Sequence, residues 1–151
     1  MKLRLLILSV ALSLPVILVA QGLDTAKIDE AMGRSGQKTG DVYRLVFPRT
    51  DLHFSVGGLE IKPGLALGSW AAFTGNDNAA MVMGDLVLLE NELTPVMKKL
   101  RAAGFDITAI HNHVLNETPR VIYMHYMGHG KSIELAKFPA RCTDRVKDAA
   151  R

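Results

Sequence analysis

Four of the chain's five histidines stand at 111, 113, 125 and 129. His111-Asn112-His113 lies in a segment that reads as a strand, where side chains two residues apart share a face, so both imidazoles point to one side. Two neutral ring nitrogens at that spacing can be offered to one metal ion. His125 falls near the end of the next predicted strand, His129 follows in Gly128-His129-Gly130, and Glu117 lies in the connection between them. The expected metal ligands are therefore His111, His113, His125 and His129. Glu117 or His129 would complete the shell or act as general acid or base. Such a donor set suits a divalent ion, zinc above all, with copper, iron and nickel as further imidazole-binding metals. The chemistry that fits is metal-dependent hydrolysis or elimination, in which the ion makes water a nucleophile near neutral pH. The alternatives are a non-catalytic ligand-binding module and a structural domain whose histidines satisfy internal hydrogen bonds.

Whether His125 joins the pair depends on register. An odd connection, such as Leu115 to Pro119, sets His111 opposite Tyr123 and His113 opposite Val121, and brings His125 to the same face. A four-residue connection sends His125 to the other face, because a shift of one residue flips every side chain of a strand. The sequence leaves both registers open. His53, distant in sequence, reads as structural or peripheral, and Arg49 with Asp51 as a turn-stabilising pair. Trp70, Phe73, Met81 and Met83 read as core residues on strands.

The elements that must position these groups are mostly strands. Asp24 or Thr25 can cap a short helix carrying Ile28 and Met32, ended by Gly33. Gly33 to Gly40 reads as a polar loop and Val42 to Phe47 as a strand. His53 to Val56 turns through Gly57-Gly58 into Leu59 to Ile61. Pro63-Gly64 is a further turn. Leu65 to Phe73 and Ala79 to Leu89 are apolar strands separated by the turn residues Gly75 to Asn78. Thr94-Pro95 opens a predicted helix that Gly104 ends. Asp106 to His113 and Arg120 to Met127 are the last strands, and Ser132 caps a final helix. Helices flanking strands without a repeating βαβ order predict an α+β fold with a mainly antiparallel sheet.

Composition narrows the function further. Lys2 and Arg4 precede an uncharged apolar run from Leu5 to Val19, and Ala20 stands before Gln21. This is the pattern of a signal peptide over residues 1–20, followed by one domain over 21–151. The expected location is the periplasm or outside the cell, with no stable membrane anchor after cleavage. Those first 20 residues hold two of the 18 basic residues and none of the 15 acidic ones, so the remainder carries a net charge of +1 with histidines neutral. That is no electrostatic footprint for nucleic acid; a small molecule is the expected partner. Cys142 is the only cysteine and cannot form an internal disulfide; it reads as a half-buried thiol on the terminal helix.

Two local likenesses mislead. The letters His-Asn-His do not make an HNH nuclease, whose name abbreviates scattered residues. His111-x-His113 followed by Glu117 is close to the cupin ligand pattern, but the glycine expected beyond the glutamate is absent and a helix directly precedes the strand. Cupins serve only as an analogy for ligation. A broader likeness covers residues 23–138. Pro48-Arg49-Thr50-Asp51-Leu52, Leu67-Gly68-Ser69-Trp70, Met83-Gly84-Asp85-Leu86-Val87-Leu88, His111-Asn112-His113, Tyr123-Met124-His125 and Gly128-His129-Gly130 together resemble the LppY/LpqO family of bacterial exported proteins and lipoproteins. The resemblance implies a domain of unknown function and supplies no catalytic residues. This chain lacks the lipobox cysteine of the lipoprotein members.

Overall fold

A computed structural model describes residues 22–138, so the expected signal peptide and Cys142 lie outside the described residues. The sheet is built from β1 (Gln37–Thr39), β2 (Val42–Pro48), β5 (Gly68–Asn76), β6 (Ala79–Leu89), β9 (Val121–Gly130) and β7 (Asp106–His111), side by side in that order. Each neighbouring pair is antiparallel. A second, three-stranded sheet pairs β4 (Leu59–Glu60), β3 (Ser55–Val56) and β8 (Glu117–Thr118). With the longer helices on one side, this is the α+β, mainly antiparallel architecture that the sequence predicts.

Alternation along the strands gives the large sheet two unlike faces. One face carries Tyr43, Leu45, Phe73, Val82, Leu86, Leu88, Met124 and Tyr126. It packs on Ile28 and Met32 of α1 (Thr25–Met32), Val96 and Leu100 of α3 (Glu90–Ala102), and Leu135 and Ala136 in the helical residues 132–138. The opposite face is covered only at one end, where Val87, Val121 and Tyr123 meet Phe54 and Leu67 in a smaller core. Met81 and Met83 lie on this second face, 45% and 42% exposed, so they are not core residues; Phe73 is fully buried. A long apolar strand reads as buried on both sides, but no helix among the described residues covers this part of the sheet.

Several elements differ from expectation for local reasons. α3 begins at Glu90, so Pro95 lies inside the helix rather than in its first turn. The start is fixed instead by Glu92, whose carboxylate accepts the Leu89 N–H at 2.8 Å. Pro63-Gly64 opens the short α2 (Pro63–Ala66), with proline at a tolerated first position, and β5 therefore starts only at Gly68. The glycine-rich segment after Gly33 contains β1. β7 stops at His111, and the connection beyond it holds β8.

Arg49 ties the connection after β2 to β6 and α3. Its guanidinium, 8% exposed, donates to Asp51, to both carboxylate oxygens of Glu92 and to the Val87 carbonyl. Arg49 and Asp51 do form the expected pair; Glu92 extends it into an anchor for the start of α3.

Candidate metal centre

The site is assembled on β9 and its edge neighbour β7. His111 pairs with Tyr123 and Ala109 with His125, with a bulge between Ile107 and Ala109. The His111 pairing is that of the odd-connection register, although His113 stands beyond the end of β7 instead of opposite Val121. His111 and His125 are thus diagonal neighbours on one face, within reach of long and aromatic side chains. Ala109, directly beside His125, leaves room for both rings. His111 Nε2 and His125 Nε2 are 2.8 Å apart.

His113 projects from the connection and lies flat on Tyr123, with ring centroids 3.8 Å apart and planes 9° from parallel. It also stacks on His111 at 4.9 Å. Tyr123 is a rigid platform, fully buried and anchored by its hydroxyl, which donates to the Ala66 carbonyl at 2.6 Å. Burial, together with the negative charges of Asp85 and Glu117, pushes the Tyr123 phenol up to about 12. One ring nitrogen from each of His111, His113 and His125 lies within 4.8 Å of the others.

Behind the trio stands Asp85, which the sequence reading did not select. It lies directly opposite His125 on β6 and is 3% exposed. Its Oδ2 is 4.0 Å from His125 Nε2, while Oδ1 is buried with no hydrogen-bond partner among the described residues. Burial pushes its carboxyl above the ordinary range, opposed by the positive charge that His125, His113 and His111 can carry. The same surroundings act on His113: burial and the neighbouring His111 charge push it down, favouring the neutral imidazole that binds metal. A signal for Asp85 does exist in the sequence, as the one charged residue in the apolar run Ala79 to Leu89.

The remaining candidates are placed differently. Glu117 is in β8, half-buried, near enough for its charge to act on Tyr123. His129 is exposed, four residues along β9 from His125, opposite Met81. That is about 13 Å along an extended strand. His53 is exposed. Trp70 meets His125 edge-on at 6.4 Å and carries the Arg44 guanidinium 4.1 Å above its ring.

Three imidazoles converging beside a buried carboxylate fit a metal ion chemically. Tetrahedral ligands about 2.05 Å from zinc lie about 3.3 Å from one another. The His111–His125 separation of 2.8 Å is a hydrogen-bond distance and would open by about half an ångström. Small rotations of two half-exposed rings are enough. A family model described as Domain of Unknown Function (DUF1259) matches residues 26–145. The chain belongs to this family. The matched span of this DUF1259 domain takes in both sheets, all of α1 but Thr25, α3 and the whole histidine trio. No curated protein and no solved structure matches the chain.

Proposed function

We propose that this DUF1259 domain is an exported metal-binding domain, with His111, His113 and His125 as ligands to one divalent ion, zinc in the first instance. The observation that carries the reading is the convergence of three ring nitrogens within 4.8 Å. The carboxylate of Asp85 beside them supports it, because a buried acid with one oxygen unpartnered among the described residues is costly unless a positive charge compensates it. The signal-peptide pattern of residues 1–20 and the resemblance to the LppY/LpqO proteins support export to the periplasm or beyond.

With His111, His113 and His125 as its only protein ligands, a zinc ion would keep room for water or a substrate, as catalytic rather than structural zinc does. Zinc there supplies a Lewis acid and lowers the pKa of water toward neutrality. Tyr123 supports the plane of His113, Asp85 places a carboxylate 4.0 Å from His125 Nε2, and Glu117, in the neighbouring β8, is the candidate to move a proton. A hydrolytic or elimination reaction on a small molecule follows from this arrangement. A second reading rests on the 2.8 Å contact between His111 and His125: the rings satisfy each other, and the cluster only holds β7 to β9.

Elemental analysis and zinc titration of untagged protein separate the two. About one equivalent of metal, lost in His111→Ala/His113→Ala, is expected. Silence toward zinc and copper, with no co-purified metal, would leave the structural reading. If metal binds, Glu117→Gln should retain it and lose turnover in a hydrolase screen.

A further inference from the structure

The open face of the large sheet carries a second group of donors, chemically unlike the trio. β6 and β9 pair without irregularity from Ala80 opposite Gly130 to Leu89 opposite Val121. Within that ladder Met83 faces Met127 and Met81 faces His129, all four on the side away from the helices. Met81 and Met83 are 45% and 42% exposed, His129 is exposed and Met127 half-buried. Neighbouring exposed methionines at the centre of a sheet are an expensive way to meet water, and they are the softest uncharged donors a side chain offers.

The spacing suits a single ion. Directly opposed residues of an antiparallel pair have Cβ atoms about 4.5–5.5 Å apart, and diagonal neighbours are about 7–8 Å apart. A thioether sulfur sits two flexible bonds beyond Cβ, so three sulfurs and one imidazole can converge above the two strands. The surroundings leave room: Ala72 and Thr74 flank Met83 and Met81 on β5, and the carboxylate-bearing Asp106 stands beside Met127 on β7.

We propose that Met81, Met83, Met127 and His129 form a site for a soft monovalent cation, copper(I) being the biologically relevant one. Thioethers discriminate strongly for copper(I) over hard and borderline divalent ions, whereas the imidazole trio favours the latter. The two sites share no residue, so this inference stands apart from the divalent centre. It also gives a role to the histidine that the trio leaves out.

The test is anaerobic competition for copper(I) against a chromogenic chelator, with silver(I) as a redox-silent probe in NMR. The full chain should withdraw about one equivalent of copper(I), and so should His111→Ala/His113→Ala. Silver(I) should move the methyl signals of Met81, Met83 and Met127 but not those of buried Met32 and Met124. Met83→Leu/Met127→Leu conserves volume on an exposed face and should fold. It should lose the copper(I) equivalent while keeping zinc binding at the trio. Failure to withdraw copper(I), retention by the leucine variant, or methyl shifts elsewhere would each overturn the proposal. A silent zinc titration would bear on the other site alone.

Discussion

At the scale of single residues, Asp85 decides how the histidine trio behaves. It faces His125 across one strand pair with an oxygen left unpartnered, and its burial opposes ionisation. Asp85→Asn removes the charge at nearly constant shape. The metal-free variant is therefore expected to be more stable than the parent at neutral pH, by chemical denaturation. Its zinc affinity should be about 10-fold weaker, because a negative charge 4.0 Å from His125 Nε2 is lost. Arg49 shows the opposite economy. Asp51, Glu92 and the Val87 carbonyl together satisfy it, and Arg49→Met would strand Glu92 in a buried setting. A loss of about 3–5 kcal/mol is expected in urea unfolding. Replacing Glu92 with Leu in the same chain should restore part of it, though the Leu89 N–H then loses its cap.

Elements set where these residues can go. Gly84 lies opposite Tyr126, whose ring occupies the space a Cβ would need. Gly84→Ala should thus destabilise by about 1–3 kcal/mol through overpacking, read as a lower denaturant midpoint. Tyr43 joins α1 to β2: its hydroxyl donates to Asp29 and accepts the Gly36 N–H at 2.9 Å. Burial and the bond to Asp29 push its phenol above the usual value near 10. A raised pKa in the folded state means that this contribution is complete below the unfolded value. It is lost as pH rises through the folded one. The fall of unfolding free energy with alkaline pH, measured by chemical denaturation, should therefore be less steep in Tyr43→Phe.

Much of this layer was readable from the chain. α1 is bracketed by Asp24 and Gly33, whose side-chain oxygen and positive φ act over a few residues. The Asn76 to Ala79 turn is equally local, with Asn76 accepting two backbone N–H groups. The start of α3 was misplaced because Pro95 is a loud local signal, whereas the Glu92 bond to Leu89 is visible only in three dimensions. Register at the histidine trio was legible as two alternatives and no further. The choice depends on the bulge after Ile107 and on β8 pairing with β3, both set by distant parts of the chain. The exposure of Met81 and Met83 escaped for a related reason, since a strand does not announce which of its faces the helices will cover.

For the molecule as a whole, binding at the trio must appear as stability. An ion that binds only the folded chain at 100 times its Kd adds about 2.7 kcal/mol. For a domain of this size that corresponds to a Tm increase of about 10 °C. Calorimetry with and without zinc should show this rise in the parent and none in His111→Ala/His113→Ala. The leucine variant of the methionine face should respond as the parent does.

β7 closes one border of the large sheet, where among the described residues β9 is its single strand neighbour and a row of backbone groups turns outward. Such a border can fray, or recruit a strand from another chain. An ion held by His111 on β7 and His125 on β9 would clasp that border like a rivet. Amide exchange along residues 106–111 would slow on metal loading, and chelation would leave the protein folded yet more prone to self-association through that margin.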